Sequence, residues 1–281
     1  MSRLFCFGLG FTARQIVMDF PDWDFLGTGR SVPEAGREGT IPLYSFRRDC
    51  TLANFQDIAK DVSHVLLSVP PDKLGDPVCD VMAEQILALP ALEWIGYLST
   101  TGVYGDLQGG WVDEESPRDP TGARGARRVQ AEMAWQELQR RHDLPLHIFR
   151  LPGIYGPGRN QLVSMKSGKA RRIVKQGQVF SRIHVADLAA ILMASMKKPA
   201  PGEIYNVADD EPAPPDEVVT YAASLLGMTP PPLQPFETAD LSPMARSFYA
   251  DSKRVSNAKI KAELGISLKY PTYREGLAAL L

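Results

Sequence analysis

The sequence predicts an α/β protein in which a doubly wound parallel sheet is followed by a smaller C-terminal α+β lobe. Two observations support this fold class. Short apolar runs with strand character alternate with segments of helical periodicity through the first two-thirds of the 281 residues, which is the order of βα units. The last third instead carries Pro-rich loops at 199–203, 212–215 and 230–235, with short strand and helix patterns between them. We therefore expect one large sheet domain and one smaller lobe.

The first half of the sheet is predicted from apolar runs and from the residues that interrupt them. Leu4–Phe7 is a short aromatic-rich run that favours a strand, and residues 12–20 carry apolar side chains at helical spacing. Residues 23–28 predict the second strand, and residues 40–46 predict a short third strand. His64–Val69 predicts a buried strand, because it is almost continuously apolar and is ended by two prolines.

The same alternation predicts the remaining elements. In chain order these are a helix at 51–60, a helix at 75–89, a strand at Trp94–Leu98, a loop at 105–121, a long helix at 122–142 and a strand at Leu146–Leu151. The smaller lobe is predicted from shorter patterns at 204–207, 216–227, 255–264 and 272–281. Because ligands bind such sheets beyond the carboxyl ends of the strands, the loops after the strands are the expected place of the functional residues.

Composition excludes several classes of function. A formal net charge of −2 leaves no basic footprint for nucleic acid, and no apolar run reaches the ~20 residues that span a bilayer. The three cysteines are widely spaced, which is typical of a reducing cytoplasm and not of a disulfide framework. The first strand begins after three residues, so no signal peptide is expected. The four histidines show no metal-ligand spacing, and no metal is predicted.

The turn after the first strand reads Gly-x-Gly-x-x-Ala over residues 8–13. Gly8 allows a tight turn, Gly10 lets a pyrophosphate approach the backbone, and Ala13 is small enough for the helix to pack on the strand. We expect Thr12 to cap that helix, whose N-terminal N–H groups favour an anion. This context predicts a dinucleotide site, and the side chains and backbone expected to line it are Gly8, Gly10, Phe11, Thr12, Ala13, Ser68 and Pro70.

The end of the second strand indicates which dinucleotide binds. An NAD-binding chain usually carries an Asp or Glu about 20 residues after the glycines, where the acid bonds the ribose 2′-hydroxyl. Here the strand runs into Thr28-Gly29-Arg30-Ser31, with no acid. An arginine and a hydroxyl at this point suit a 2′-phosphate, so Arg30 and Ser31 favour NADP over NAD. A solvated loop arginine is the alternative interpretation.

Four further segments complete a pattern that begins with the N-terminal glycines. They are LSTTGVYGD at 98–106, FRLPGIYGPGRN at 149–160, RIHVADLA at 182–189 and IYNVADDEP at 204–212. In this order the set resembles the extended short-chain dehydrogenase/reductase family, which includes nucleotide-sugar epimerases and dehydratases. The resemblance implies a Rossmann-like, NADP-binding domain over 1–155 and 182–210, and a substrate lobe over 156–181 and 211–281.

The resemblance also implies a catalytic set. In the family a Ser or Thr after the fifth strand orients the substrate oxygen, a Tyr in Tyr-x-x-x-Lys transfers the proton, and the Lys binds the ribose and lowers the tyrosine pKa. Thr100 falls at the hydroxyl position, with a local backbone contact as the alternative. The helix predicted at 122–142 matches the family pattern at Gly125 and Glu132. Arg124, however, stands at the tyrosine position of that pattern and Arg128 at its lysine position. An arginine cannot exchange a proton near neutral pH, so the chain resembles the family's atypical members.

Arg124 and Arg128 are four residues apart and therefore share one helical face. We expect both to face the nicotinamide end of the cleft and to bind an anion or a hydroxyl. An ion pair of Arg124 with the acids at 113–115 is the alternative. The residues expected to line the substrate pocket are Tyr104, Tyr155 and Arg159.

These features together predict an NADP-binding atypical member of the family, with epimerase, dehydratase or reductase activity on a nucleotide sugar or other anionic small molecule. The alternative is a non-catalytic NADP-sensing protein that keeps the phosphate turn and has lost the acid–base pair. The family often dimerises through two helices that correspond to 75–89 and 122–142, so the resemblance implies a homodimer, with a monomer as the alternative. No nucleic-acid or membrane partner is expected.

Overall fold

The computed structural model describes residues 2–281. Its strands are, in chain order, β1 (Arg3–Phe7), β2 (Asp24–Gly29), β3 (Arg37–Glu38), β4 (Ile41–Ser45), β5 (His64–Leu67), β6 (Trp94–Thr100), β7 (Trp111–Val112), β8 (Leu146–Leu151), β9 (Gly153–Tyr155), β10 (Arg172–Val174), β11 (Arg182–His184), β12 (Ile204–Asn206), β13 (Leu233–Pro235) and β14 (Arg254–Val255). Its α-helices are α1 (Phe11–Asp19), α2 (Phe55–Ile58), α3 (Pro77–Leu87), α4 (Ala123–His142), α5 (Gln161–Lys166), α6 (Val185–Lys197), α7 (Pro215–Leu225), α8 (Pro243–Phe248), α9 (Ala258–Leu264) and α10 (Tyr273–Ala278). A short 3-10 helix runs over Thr101–Tyr104. Within residues 2–281, no helix combines the length and the apolar character needed to cross a membrane.

Eight strands form one mostly parallel sheet in the order β12-β8-β6-β5-β1-β2-β4-β3. β1 lies inside the sheet and pairs in parallel with both β2 and β5, so that Cys6 is opposite Gly27 on one side and Leu66 on the other. From β1 the chain builds outward first in one direction and then in the other, which is the doubly wound arrangement. The predicted fold class is therefore confirmed.

Buried aromatic side chains hold the sheet to its helices. Every residue of β1 after Arg3 is fully buried, as expected for an inner parallel strand that is covered on both faces. The rings of Phe5 and Phe7 meet Phe55 of α2 with centroids 5.2 Å and 5.7 Å apart, and Trp135 of α4 is buried in the same cluster. Full burial of such side chains stabilises the fold by about 1.5–3 kcal/mol each. This core fixes the strand ends at which the candidate site lies.

Most predicted elements are present, and the differences are local. The helix predicted at 51–60 is reduced to the four residues of α2, which has turns on either side, and Leu52 and Phe55 are buried in this segment. The pattern at 255–264 is divided between the end of β14 and α9. The loop predicted at 105–121 contains the short strand β7, which pairs with β14.

The chain forms two compact units. The first runs to Ser99 and adds Arg127–Arg150 and Ala189–Tyr205, and the second contains Thr100–Ala126, Leu151–Leu188 and Asn206–Leu281. The eight-stranded sheet belongs to the first unit apart from the last residues of three strands, and the second unit holds the three two-stranded sheets β10–β13, β11–β9 and β14–β7. The division into a dinucleotide-binding domain and a substrate lobe stays a prediction.

His147 of β8 is buried in the first unit as a neutral imidazole. Its Nε2 accepts a hydrogen bond from the Ala200 N–H at 2.8 Å, so the ring proton is on Nδ1, which lies 3.3 Å from the Ile95 carbonyl. The ring stacks on Trp94 with centroids 5.7 Å apart. Burial lowers the pKa of His147 to about 4.

This histidine should make the free energy of unfolding depend on pH. Unfolded His147 binds a proton below pH 6.5, whereas the folded residue binds one only below about 4, so the fold loses stability as the pH falls between these values. His147→Gln is expected to remove about 3 kcal/mol of this dependence, measured by urea unfolding at neutral pH and near pH 4. His142→Gln replaces an exposed histidine at the end of α4 and serves as the matched control. An unchanged dependence in His147→Gln would contradict the buried neutral ring.

Candidate functional site

The loop from β1 to α1 forms a tight glycine turn. Gly8 has a φ of +92°, and its N–H donates to Thr28 Oγ1 at 2.8 Å. A Cβ on Gly8 would lie 2.7 Å from Ser68 Oγ. The Ser68 hydroxyl is directed at the carbonyls of Phe7 and Gly8, at 3.0 Å and 2.7 Å. The turn therefore requires glycine at position 8 and is held between the ends of β2 and β5.

Gly10 is the N-cap of α1 and lies beside open space. Its backbone is extended, with φ −97° and ψ −163°, and no side chain caps the helix. No heavy atom outside its chain neighbours lies within 4 Å of an ideal Cβ built on this residue. A helix N-terminus of this kind, with no capping side chain and room in front of it, is suited to receive an anion such as a pyrophosphate.

The N-cap of α1 lies two residues before the predicted one. The expectation that Thr12 caps the helix is wrong, because α1 begins at Phe11 and Thr12 is a 6% exposed residue of its first turn. The Arg14 N–H bonds to the Gly10 carbonyl at 2.9 Å, which makes Gly10 the cap. Ala13 is buried beside the sheet, where a larger side chain would hold the helix away.

Two arginines lie at the carboxyl edge of the sheet beside this turn. Arg30 and Ser31 follow β2 and are exposed. Arg47 follows β4, and its Nη2 donates to the Arg30 carbonyl at 3.1 Å. The sequence interpretation missed Arg47, and the signal that could have found it is its position directly after the strand that pairs with β2. Pro70, the other residue expected here, is exposed after β5.

Thr100 ends β6 and caps the 3-10 helix that follows. Its Oγ1 accepts a hydrogen bond from the Gly102 N–H at 3.1 Å. Gly125 of α4 packs closely against this helix, since a Cβ on Gly125 would lie 2.5 Å from the Gly102 carbonyl oxygen. The local backbone contact of Thr100 is therefore present, and it leaves the hydroxyl hydrogen available to donate.

Tyr104 is part of a packed network. Its side chain is 2% exposed, and its hydroxyl donates to Asn206 Oδ1 at 2.7 Å. The Asn206 N–H donates in turn to Glu114 Oε1 at 2.7 Å, and burial raises the pKa of Glu114. Over residues 2–281, Arg124 forms no ion pair with Glu114 or with the other acids at 113–115.

The two arginines of α4 have different partners. Arg128 Nη1 donates to the Tyr97 hydroxyl and to the Leu98 carbonyl, both at 2.9 Å, and its guanidinium lies 5.5 Å from the Tyr97 ring centroid. Arg124 is exposed, and its guanidinium lies 5.5 Å from the Phe248 ring centroid. Arg128 therefore joins α4 to β6, while Arg124 remains on the surface.

A buried ion pair anchors α4 to the sheet. Glu132 is 0% exposed and Arg150 of β8 is 2% exposed. Glu132 Oε2 lies 2.9 Å from Arg150 Nη2. Ser99 Oγ donates to Glu132 Oε1 at 2.5 Å. Glu132 therefore fixes α4, and with it Arg128, against β6 and β8.

Tyr155 and Arg159 lie in contrasting surroundings in the second unit. The Tyr155 hydroxyl donates to the Thr272 carbonyl at 3.4 Å, and its ring meets His184 edge-on at 5.1 Å. Burial raises the pKa of the Tyr155 hydroxyl, which makes it unsuited to proton transfer near neutral pH. Arg159 is exposed in the turn after β9, where its backbone exchanges hydrogen bonds with Gly156 at 2.9 Å and 3.1 Å.

Known proteins resemble this chain at several levels. A family model described as the NAD dependent epimerase/dehydratase family matches residues 78–208. The chain is 49% identical to a functionally unknown conserved protein from Silicibacter pomeroyi DSS, whose solved structure aligns with a TM-score of 0.88 over 100% of this chain and 98% of that one. It is 19% identical to dTDP-glucose 4,6-dehydratase from Bacillus anthracis str. Ames, solved in complex with NAD, with a TM-score of 0.81 over 100% of this chain and 95% of that one. Human dTDP-D-glucose 4,6-dehydratase is 27% identical over 119 residues, which are 40% of this chain and 34% of the human protein. The match thus spans about a third of that curated relative.

The doubly wound sheet and the glycine turn at its centre define a Rossmann-like α/β protein. The matches to the family model and to these relatives narrow this class of Rossmann-like α/β protein further. Residues 78–208 match the NAD dependent epimerase/dehydratase family model, so the resemblance seen in the sequence motifs is confirmed.

Proposed function

We propose that the protein is an NADP-binding member of this family that acts on a nucleotide sugar or other anionic small molecule as an epimerase, dehydratase or reductase. The observation that carries the proposal is the open glycine turn at Gly10, with Arg30 and no acid at the end of the neighbouring β2. Support for the classes of cofactor and substrate comes from relatives named as dTDP-glucose dehydratases, one of them solved with NAD.

The residues around the turn fit a dinucleotide. The N-terminus of α1 would receive the pyrophosphate over Gly10, and Ser68 would keep the turn in place. Arg30 and Ser31 would contact the 2′-phosphate. When bound, the nicotinamide supplies the hydride chemistry of the reaction.

Proton transfer requires a group other than arginine. We expect Arg124 to bind an anionic group of the substrate, with the exposed Arg159 as a further anion contact. Thr100 keeps a hydroxyl hydrogen that can be donated to a substrate oxygen. The tyrosines Tyr104 and Tyr155 are buried and engaged in hydrogen bonds, so Thr100 or bound water is the expected proton relay.

A non-catalytic NADP-sensing protein is the second candidate function. Arg128 favours it, because this residue stands at the lysine position of the family and directs its guanidinium at Tyr97 and Leu98. Such a protein would bind NADP and would not convert a nucleotide sugar.

A thermal-shift series distinguishes these functions. A ligand at about a hundred times its Kd adds roughly 2.7 kcal/mol to the stability of the native state. NADP is expected to bind more tightly than NAD, and at the same concentration it should therefore raise the melting temperature more. An enzyme should show a further shift with at least one nucleotide sugar and should convert that sugar to a new product, detected by chromatography. A net change in NADPH absorbance is expected only of a reductase, because epimerisation and dehydration return the hydride to the substrate. A shift with NADP alone would favour the sensor, and no shift with either dinucleotide would contradict both functions.

Arg30→Ala should weaken NADP binding by about tenfold to hundredfold and leave NAD binding nearly unchanged. The variant removes one charge-assisted contact to the 2′-phosphate, a group that NAD lacks. Calorimetric titration with both dinucleotides measures the effect. Equal losses for the two would show that Arg30 makes no contact with the 2′-phosphate.

The proposal also includes a homodimer in a reducing cytoplasm. The helices α3 and α4 correspond to the pair through which the family often dimerises. The thiols of Cys6, Cys50 and Cys79 are all free, as a reducing compartment requires. Sedimentation at several concentrations measures the oligomeric state.

A further inference from the structure

A second arginine lies beside Arg30 at the carboxyl edge of the sheet. The strands β2 and β4 are parallel neighbours, with Gly29 opposite Ser45. The Phe46 N–H donates to the Gly29 carbonyl at 3.1 Å, which continues this register past the end of β4. The next residue of each segment is an arginine, so Arg30 and Arg47 are adjacent although they are far apart in sequence.

The position of Arg47 is fixed from both sides. Before it, Phe46 is 4% exposed and meets Phe7 of β1 with ring centroids 5.3 Å apart. After it, a tight turn closes in which Arg47 and Cys50 exchange both backbone hydrogen bonds, at 3.0 Å and 3.1 Å. Its Nη2 then donates to the Arg30 carbonyl at 3.1 Å. The guanidinium is therefore directed at the end of β2, with further N–H groups left for a ligand.

The charges of these two arginines are not neutralised by the protein. Within residues 2–281, neither Arg30 nor Arg47 forms an ion pair, and both are exposed. The next arginine, Arg48, differs, because it pairs with Asp72 at 3.0 Å and also with Asp80. Two neighbouring arginines without an acid partner attract a dianion and do not favour a neutral hydroxyl.

We propose that Arg47 is a second ligand of the NADP 2′-phosphate, and that it forms with Arg30 a two-guanidinium site for a phosphate monoester. The inference rests on the proposed NADP preference and adds a specificity-determining residue to it. NADP brings a phosphate with a charge of about −1.5 to −2 to this site. NAD brings a hydroxyl and leaves the two positive charges unneutralised, so the pair also discriminates against NAD.

Two probes isolate this site from the rest of the cofactor. Adenosine 2′,5′-bisphosphate and 5′-AMP differ only in the 2′-phosphate, and both are titrated calorimetrically into the full chain. Arg47→Ala should weaken the bisphosphate by about tenfold or more and leave 5′-AMP nearly unchanged. Arg47→Lys should fall in between, because lysine keeps the charge and loses the planar fork. Arg140→Ala removes the same charge from an exposed site on α4 and should leave both affinities unchanged.

The outcomes separate this inference from the proposed function. If the wild-type chain prefers the bisphosphate and Arg47→Ala behaves like Arg140→Ala, the role of Arg47 is overturned while the NADP preference stands. Equal losses for both probes in Arg47→Ala would also overturn it, since Arg47 would then support the adenosine end in general. A wild-type chain that binds both probes equally would contradict the proposed NADP preference itself. Loss of the bisphosphate preference in Arg30→Ala/Arg47→Ala, with a smaller loss in each single variant, supports the pair.

Discussion

Gly10→Val is expected to abolish dinucleotide binding while lowering the stability of the free protein by only about 1 kcal/mol, because valine is a poorer N-cap than glycine. The valine side chain would fill the space before α1, where no heavy atom outside the chain neighbours lies within 4 Å of an added Cβ. The extended backbone at this residue is one that valine adopts readily. A pyrophosphate could then no longer reach the helix N-terminus, so NADP and NAD should both weaken by about hundredfold or more. Calorimetric titration measures the affinities, and thermal unfolding measures the stability.

Gly8 supplies a control at the same turn. An alanine there would require a φ of +92° and would place its Cβ 2.7 Å from Ser68 Oγ, so Gly8→Ala should unfold at a lower temperature. The cost of the positive φ by itself is about 1–2 kcal/mol. Unchanged NADP affinity in Gly10→Val would show that the pyrophosphate binds elsewhere. A loss of stability in Gly10→Val larger than that of Gly8→Ala would show that the space before α1 is not open.

Glu132→Gln is expected to cause the largest loss of stability. The variant leaves the guanidinium of Arg150, 2% exposed, without its charged partner inside the first unit. Removing one member of a buried ion pair typically costs about 3–5 kcal/mol, because the remaining charge is desolvated and uncompensated. The hydrogen bond from Ser99 to Glu132 Oε1 is weakened as well. The free energy of unfolding in urea, measured near neutral pH, gives the loss.

The same helix carries a matched control. Glu137 of α4 also contacts two arginines, Arg140 at 2.8 Å and Arg141 at 2.5 Å, but it lies at the exposed surface. These contacts lower the pKa of Glu137 to about 2, yet solvent screens such a pair, and Glu137→Gln should change the stability little. Similar losses in Glu132→Gln and Glu137→Gln would contradict the proposed anchor. Replacing Glu132 and Arg150 together by Leu and Met should cost less than either single change, since no buried charge is then left.

The beginning of the chain shows what local sequence patterns can predict and what they cannot. Leu4–Phe7 could be predicted as a strand, because an inner strand of a parallel sheet needs apolar side chains on both faces. The start of α1 could not be placed to the residue. Apolar spacing shows which side of a helix is buried, whereas the helix begins where the Arg14 N–H first bonds to the Gly10 carbonyl. A glycine cap carries no side-chain signal, so Thr12 was the wrong choice.

The arginines of α4 show where the prediction of the site stops. Helical spacing correctly places Arg124 and Arg128 on one helix, one turn apart. It does not reveal that the guanidinium of Arg128 meets Tyr97 and Leu98, since that contact depends on how α4 docks on β6. Their roles toward a ligand stay predictions that a structure with NADP would test.

By itself the sequence determined the alternation of βα units, the glycine turn after β1 and an arginine without an acid at the end of β2. Each of these features depends on a segment of about 20 residues or fewer, within which side-chain size, charge and periodicity act directly on the backbone. Only the tertiary structure decided that Arg47 lies against Arg30 and that Glu132 is buried on Arg150. Strand register and helix docking bring these residues together from distant parts of the chain, and both depend on the packing of the whole core rather than on any local pattern.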